Sequence, residues 1–112
     1  MENLKQDLRA FIAERDWKQF HSPKNLAMAL AVEAAELMEP FQWLTEEQSR
    51  ALPAEKHALV KDELADVLIY LVRLADELNV DLLEAAHAKL GKNRAKYPPD
   101  QVRGKALKYN EY

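Results

Sequence analysis

The sequence predicts an all-α protein, and three observations carry that expectation. Its 112 residues include only two glycines. No stretch alternates apolar and polar residues in the manner of a strand, and four segments repeat apolar residues at helical spacing. With 48% hydrophobic residues in so short a chain, the helices cannot cover all their apolar faces within one copy. The expected architecture is therefore a four-helix-bundle core completed by oligomerisation, at least a dimer, in which the middle two long helices of each copy pair with those of another. A single domain is expected over residues 1–112, with a tail from about 98 to 112 that lacks a sustained apolar period.

Each element has a local reason. Asn3 followed by Gln6 reads as a capping box, and Leu4, Leu8, Phe11 and Ile12 then recur on one face up to about Glu14. Ser22-Pro23 reads as an N-cap with proline at the first helical position, opening a second helix that should stop at Glu39 because Pro40 follows. Thr45 and Gln48 suggest a short capped helix in the connection. A third helix is expected from about Ala54 through Leu78, with Asn79 as its stop. Asp81 with Glu84 forms another box, opening a fourth helix that runs towards Lys96 and ends at Tyr97-Pro98-Pro99.

The second helix carries the strongest functional signal. Residues 26–38, LAMALAVEAAELM, are apolar except for Glu33 and Glu36. A helix apolar almost all round is a buried one, and carboxylates seldom occupy such a place unless paired or bound to a cation. At ~100° per residue, positions i and i+3 lie about 60° apart, so both side chains can reach one ion. The third helix repeats the device with Glu63 and Asp66, and Tyr70 follows one turn further along the same stripe. Any one Glu-x-x-Glu arises freely on a solvated face; two pairs inside apolar helices do not. Four oxygen ligands without a matching histidine favour a hard cation, Mg²⁺ or Mn²⁺, over zinc, copper or the Glu-x-x-His sites of di-iron bundles. An internal ion-pair network with Lys or Arg is the competing account. Magnesium held this way keeps positions open for water and for substrate phosphates, so a phosphate substrate follows.

Other classes fall away on composition. No cysteine is present, which removes disulfides, thiolate metal sites and cysteine nucleophiles. A net charge of −3 and a pI near 5.6 argue against a nucleic-acid polymer as partner. The charged N-terminal segment is unlike a secretory leader, and no apolar run reaches the about 20 residues of a membrane span, so a soluble cytoplasmic protein is expected. His21, His57 and His87 share no spacing that marks a ligand or base. On the fourth helix Lys89, Lys92, Asn93 and Lys96 fall within about 100° of one another, a donor-rich strip that suits phosphate and equally suits solvent. Trp17, Phe20, Trp43 and Tyr70 offer faces for a nucleobase, although most aromatics are simply core; Trp17 and Trp43 stand out because they lie in connecting segments.

These residues carry a resemblance. EAAE with Glu33 and Glu36, then DELAD with Glu63 and Asp66, resembles the motif of the MazG-like superfamily of all-α nucleoside triphosphate pyrophosphohydrolases. RDWKQFHSPKNLAMAL, FQW, DVLIYLV, KNRAKYP and RGKALKY resemble segments of its dCTP pyrophosphatase branch, from about Arg15 to Tyr109. The resemblance implies Mg²⁺-dependent cleavage of a (d)NTP, dCTP or a modified pyrimidine nucleotide, between the α and β phosphates, giving the monophosphate and pyrophosphate. It implies Glu33, Glu36, Glu63 and Asp66 as catalytic metal ligands, with Mn²⁺ the alternative ion. Trp17, Trp43 and Tyr70 would line the base and sugar pocket, and Lys89, Asn93 and Lys96 would contact phosphate or sugar. It also implies homo-oligomers, commonly tetramers built as a dimer of dimers. Leu8 stands where animal members carry a pocket histidine, so cytosine selectivity does not simply transfer. Two other readings remain at this level: a non-catalytic helical oligomeric module that binds a protein partner, and a pyrophosphohydrolase of phosphoribosyl nucleotides.

Overall fold

A computed structural model describes residues 1–106, and these are helical with no strand among them. Two compact parts divide the chain, Met1–Val80 and a second beginning at Asp81. The first holds helix α1 (Glu2–Glu14), a 3₁₀ turn (Lys18–Phe20), α2 (Pro23–Met38), the one-turn α3 (Glu46–Ser49) and α4 (Ala54–Glu77). The second holds α5 (Leu82–Lys96) and the short α6 (Pro99–Val102), which gives part of the expected tail a helical turn.

The caps explain most boundaries. Ser22 Oγ accepts from the Asn25 amide at 3.1 Å, with Pro23 at the first position of α2. Thr45 and Gln48 form a reciprocal capping box at 3.1 and 3.0 Å. Asp81 Oδ1 accepts from the Glu84 amide at 3.0 Å. Helix α4 stops just before Asn79, which takes a left-handed φ of 55°, a conformation asparagine tolerates better than most residues. One expected cap does not form. The first helix begins at Glu2, so Asn3 lies inside it and cannot cap; Gln6 instead donates from Nε2 to the Glu2 carboxylate at 3.0 Å. Of the two effects expected of Pro40 at the stop of α2, the bias on its predecessor does not operate, since Glu39 keeps helical angles of −51° and −45°. The missing N–H of Pro40 ends the ladder.

The first part is organised by α2 and α4, which pack along each other, with α1 laid on α4. Its core is small: Ile12, Leu26, Val72 and Ala75 are buried. Within one chain α2 is therefore not the enclosed helix its composition suggests. Leu26 alone in it is buried, and Met28, Val32 and Met38 are 58%, 56% and 58% exposed. Leu59, Leu64 and Leu68 continue that apolar exposure on α4. No helix among the described residues is long and apolar enough to cross a membrane.

Candidate metal centre

Packing α2 against α4 brings together three of the four carboxylates singled out by the sequence. Oxygens of Glu33, Glu36 and Glu63 all lie within 4.8 Å of one another. Each residue is half-buried. Glu33 Oε2 and Glu63 Oε2 are out of contact with solvent and have no hydrogen-bond partner, a costly state for a carboxylate oxygen. Burial, then a proton shared with Glu36 and the charges of Glu36, Asp66 and Glu63, push the Glu33 carboxyl up to about 7. Glu63 is raised as well, first by burial and then by Glu36, Asp66, Glu39 and Asp62. Asp66 is half-buried and stands outside the trio, close enough for its charge to act on both.

The competing account, neutralisation by an internal Lys or Arg, finds no cation here. Among the described residues no ion pair involves Glu33, Glu36, Glu63 or Asp66. Like charges held together with orphaned buried oxygens and no basic partner fit a cation from outside the chain, and an all-carboxylate donor set suits a hard one.

The sequence also missed residues. Glu39 adds to the negative field at Glu63 and lies three positions after Glu36, so the spacing argument already applied to it. Arg73, in YLVRLADEL, is a second such residue, since a cation in an apolar helix raises the same question as Glu33. It is 4% exposed and donates to Asp76 at 3.2 Å, Glu77 at 2.7 Å and His21 Nδ1 at 3.5 Å. Arg9 on α1 grips Asp76 bidentately at 2.6 and 2.8 Å. A cleft of about 520 Å³ beside this network is lined by Arg9, Lys18, Arg73 and Asp76 among others, and by none of the site residues expected from sequence.

The expected aromatic and basic residues occupy varied settings. Trp17 is 44% exposed and packs edge-on against Phe11, ring centres 5.8 Å apart. Trp43 is 87% exposed in the turn after α2. Tyr70 is half-buried on α4, and Leu8 half-buried on α1. Lys89, Asn93 and Lys96 recur on one side of α5, the lysines exposed and Asn93 half-buried. Part of the RGKALKY segment, residues 107–109, lies outside the described residues.

Fold and cluster together define an all-α protein whose principal helix pair carries a carboxylate centre able to hold a metal ion. A crystal structure of a pyrophosphatase from Archaeoglobus fulgidus matches it with a TM-score of 0.83 and 41% identity, over 88% of this chain and 92% of that one. The dCTP pyrophosphatase 1 of Mus musculus is 46% identical over 99% of the chain, and that of Homo sapiens 42% over the same share. The chain spans 66% of the length of each of these two relatives. Residues 28–111 match the MazG-like family. The chain belongs to the MazG-like family.

Proposed function

We propose that this chain is a Mg²⁺-dependent nucleoside triphosphate pyrophosphohydrolase, acting on dCTP or modified pyrimidine deoxynucleotides and yielding the monophosphate and pyrophosphate. The observation that carries the reading is the trio Glu33, Glu36 and Glu63, with two buried oxygens lacking any partner, in a relative of dCTP pyrophosphatases. Glu33, Glu36, Glu63 and Asp66 would hold the ion. When bound, Mg²⁺ supplies charge neutralisation to the polyphosphate and orients it for in-line attack. Glu33 or Glu36 takes the proton of the attacking water as its oxygen bonds the α-phosphorus; the bond to the bridging oxygen breaks and pyrophosphate leaves. Lys89, Asn93 and Lys96 donate to phosphate or sugar, while Trp17, Trp43 and Tyr70 enclose the base. Stacking is tolerant of base identity, so a pyrimidine bias with activity on other deoxynucleotides is expected. Leu8, apolar, favours 5-substituted cytosines in that pocket.

The domain is residues 1–112, and the setting is the cytoplasmic nucleotide pool, which the enzyme clears of surplus or modified nucleotides. The exposed apolar residues Met28, Val32 and Met38 on α2 with Leu59, Leu64 and Leu68 on α4 support a homo-oligomer, a tetramer formed as a dimer of dimers. Light scattering decides this against a monomer of 12.9 kDa. Product identity decides the chemistry: dCTP with Mg²⁺ should give dCMP and pyrophosphate, and dCDP with orthophosphate would overturn the assignment. Comparing kcat/KM for dCTP, 5-methyl-dCTP, dUTP, dTTP, dATP and CTP tests the base preference. Inactivity on all six, with no metal-induced rise in melting temperature, would favour a non-catalytic module instead.

A further inference from the structure

Trp17 belongs to a short segment tied down at both ends by one turn of α4. At its start, the Trp17 amide donates to Ile12 O at 3.1 Å and its ring packs on Phe11, so the indole moves with the end of α1. That helix fully buries only Ile12, with Leu4 and Leu8 half-buried, a thin apolar contact that leaves its rotation on α4 weakly specified. The bidentate Arg9–Asp76 pair supplies the second point of attachment, and a planar fork on a carboxylate fixes direction as well as distance. At the far end of the segment, His21 Nδ1 accepts from Arg73. Arg73 also donates to Asp76. Two neighbouring residues of α4, three positions apart, thus hold both flanks of Trp17.

We propose that Arg73 and Asp76, acting through His21 and Arg9, are positioning residues that fix Trp17 for nucleotide binding. The inference rests on the proposed substrate role of Trp17. Neither residue belongs to the carboxylate trio, so loss of the link weakens binding of substrate and transition state alike and leaves metal-assisted chemistry in place.

The test starts from Arg9→Met, at an exposed side chain, with Asp76→Asn beside it. For dCTP hydrolysis the KM should rise about fivefold while kcat stays within about twofold of the parent, the pattern of lost uniform binding. Arg9→Lys, which keeps the charge and loses the fork, should fall between parent and Arg9→Met. In a Trp17→Ala background Arg9→Met should add nothing to KM, because both changes remove the same contact. In a Trp43→Phe protein, where Trp17 is the sole tryptophan, Arg9→Met should raise acrylamide quenching about twofold as the indole comes free of Phe11. An unchanged KM, a fall in kcat alone, or the same KM increase without Trp17 would overturn the proposal. If the parent protein hydrolyses no nucleotide, the functional reading fails separately, and unchanged Trp17 quenching in Arg9→Met then overturns the positioning role by itself. Should Asp76→Asn fail to fold, the two Arg9 variants decide.

Discussion

One helix, α4, solves the problem of charge in an apolar setting in two opposite ways. Near its middle, Glu63 meets Glu33 and Glu36 of α2 with no basic partner among the described residues, and two of their oxygens are left buried and unbonded. Two to four turns later, Arg73 is buried with every charge answered: Asp76 and Glu77 on its own helix, and Arg9 sharing Asp76 from α1. A charge set complete within the chain is architecture, and a set that lacks its counter-charge is a site. The difference separates the two regions before any homologue is considered.

Substitutions break the comparison most sharply. Glu36→Gln or Asp66→Asn should lower kcat by about 10³-fold in a steady-state assay with Mg²⁺, and circular dichroism should show the helices intact. At the other end, Arg73→Met leaves Glu77 unpaired and Asp76 with one arginine, so urea titration should show a loss of about 3 kcal/mol. The sign reverses for Glu33→Gln, which removes one of the mutually repelling charges; in the absence of divalent ions its melting temperature should equal or exceed that of the parent. Excess Mg²⁺ should raise the parent's melting temperature by about 10 °C, the shift that corresponds in a chain of this size to the roughly 2.7 kcal/mol of a ligand at 100 times its Kd, and raise that of Glu33→Gln less.

The pH dependence sharpens the same contrast with smaller effects. Glu33, pushed up to about 7, binds its proton more tightly in the folded chain than in the unfolded one. Its contribution to metal-free stability is complete below about 4.5 and is lost as pH rises through about 7. Asp76 is held below the ordinary carboxylate value, first by its hydrogen bond from Arg9, so its contribution exists above the unfolded value near 3.9 and disappears as pH falls through the folded one. Denaturation of the metal-free protein should therefore show an acid limb that Arg9→Met weakens and a near-neutral limb that Glu33→Gln removes. Metal affinity should rise between about pH 6 and 8 as the cation displaces the Glu33 proton.

The fold was legible wherever a local rule decides it. Ser22-Pro23, Thr45 with Gln48, and Asn79 each act through their own backbone neighbours, and each marks the boundary it was expected to mark. Asn3 failed because a helix can start earlier without a side-chain cap, so a capping motif is permissive rather than compulsory. Glu33, Glu36 and Glu63 could be read because helical periodicity fixes their faces and apolar surroundings make their charge conspicuous. Arg73 was equally conspicuous, and its partners Asp76 and Glu77 lie three and four positions on, within reach of the same helical spacing; the second arginine on Asp76, Arg9, lies 67 residues away, and no spacing rule spans that distance. Exposure of Met28 and Val32 was hidden for a related reason, since composition says that a face is apolar and not what covers it.

The order in which the chain is made gives α2 a further constraint. It leaves the ribosome before α4, the helix it packs along, has been synthesised. Until residues beyond 54 follow, α2 lacks that helix, and its apolar face is left uncovered. Glu33 and Glu36 are then fully hydrated charges in the middle of LAMALAVEAAELM, the kind of interruption that discourages aggregation of nascent segments. The glutamates that crowd one another once α4 arrives are those that keep its unfinished partner in solution.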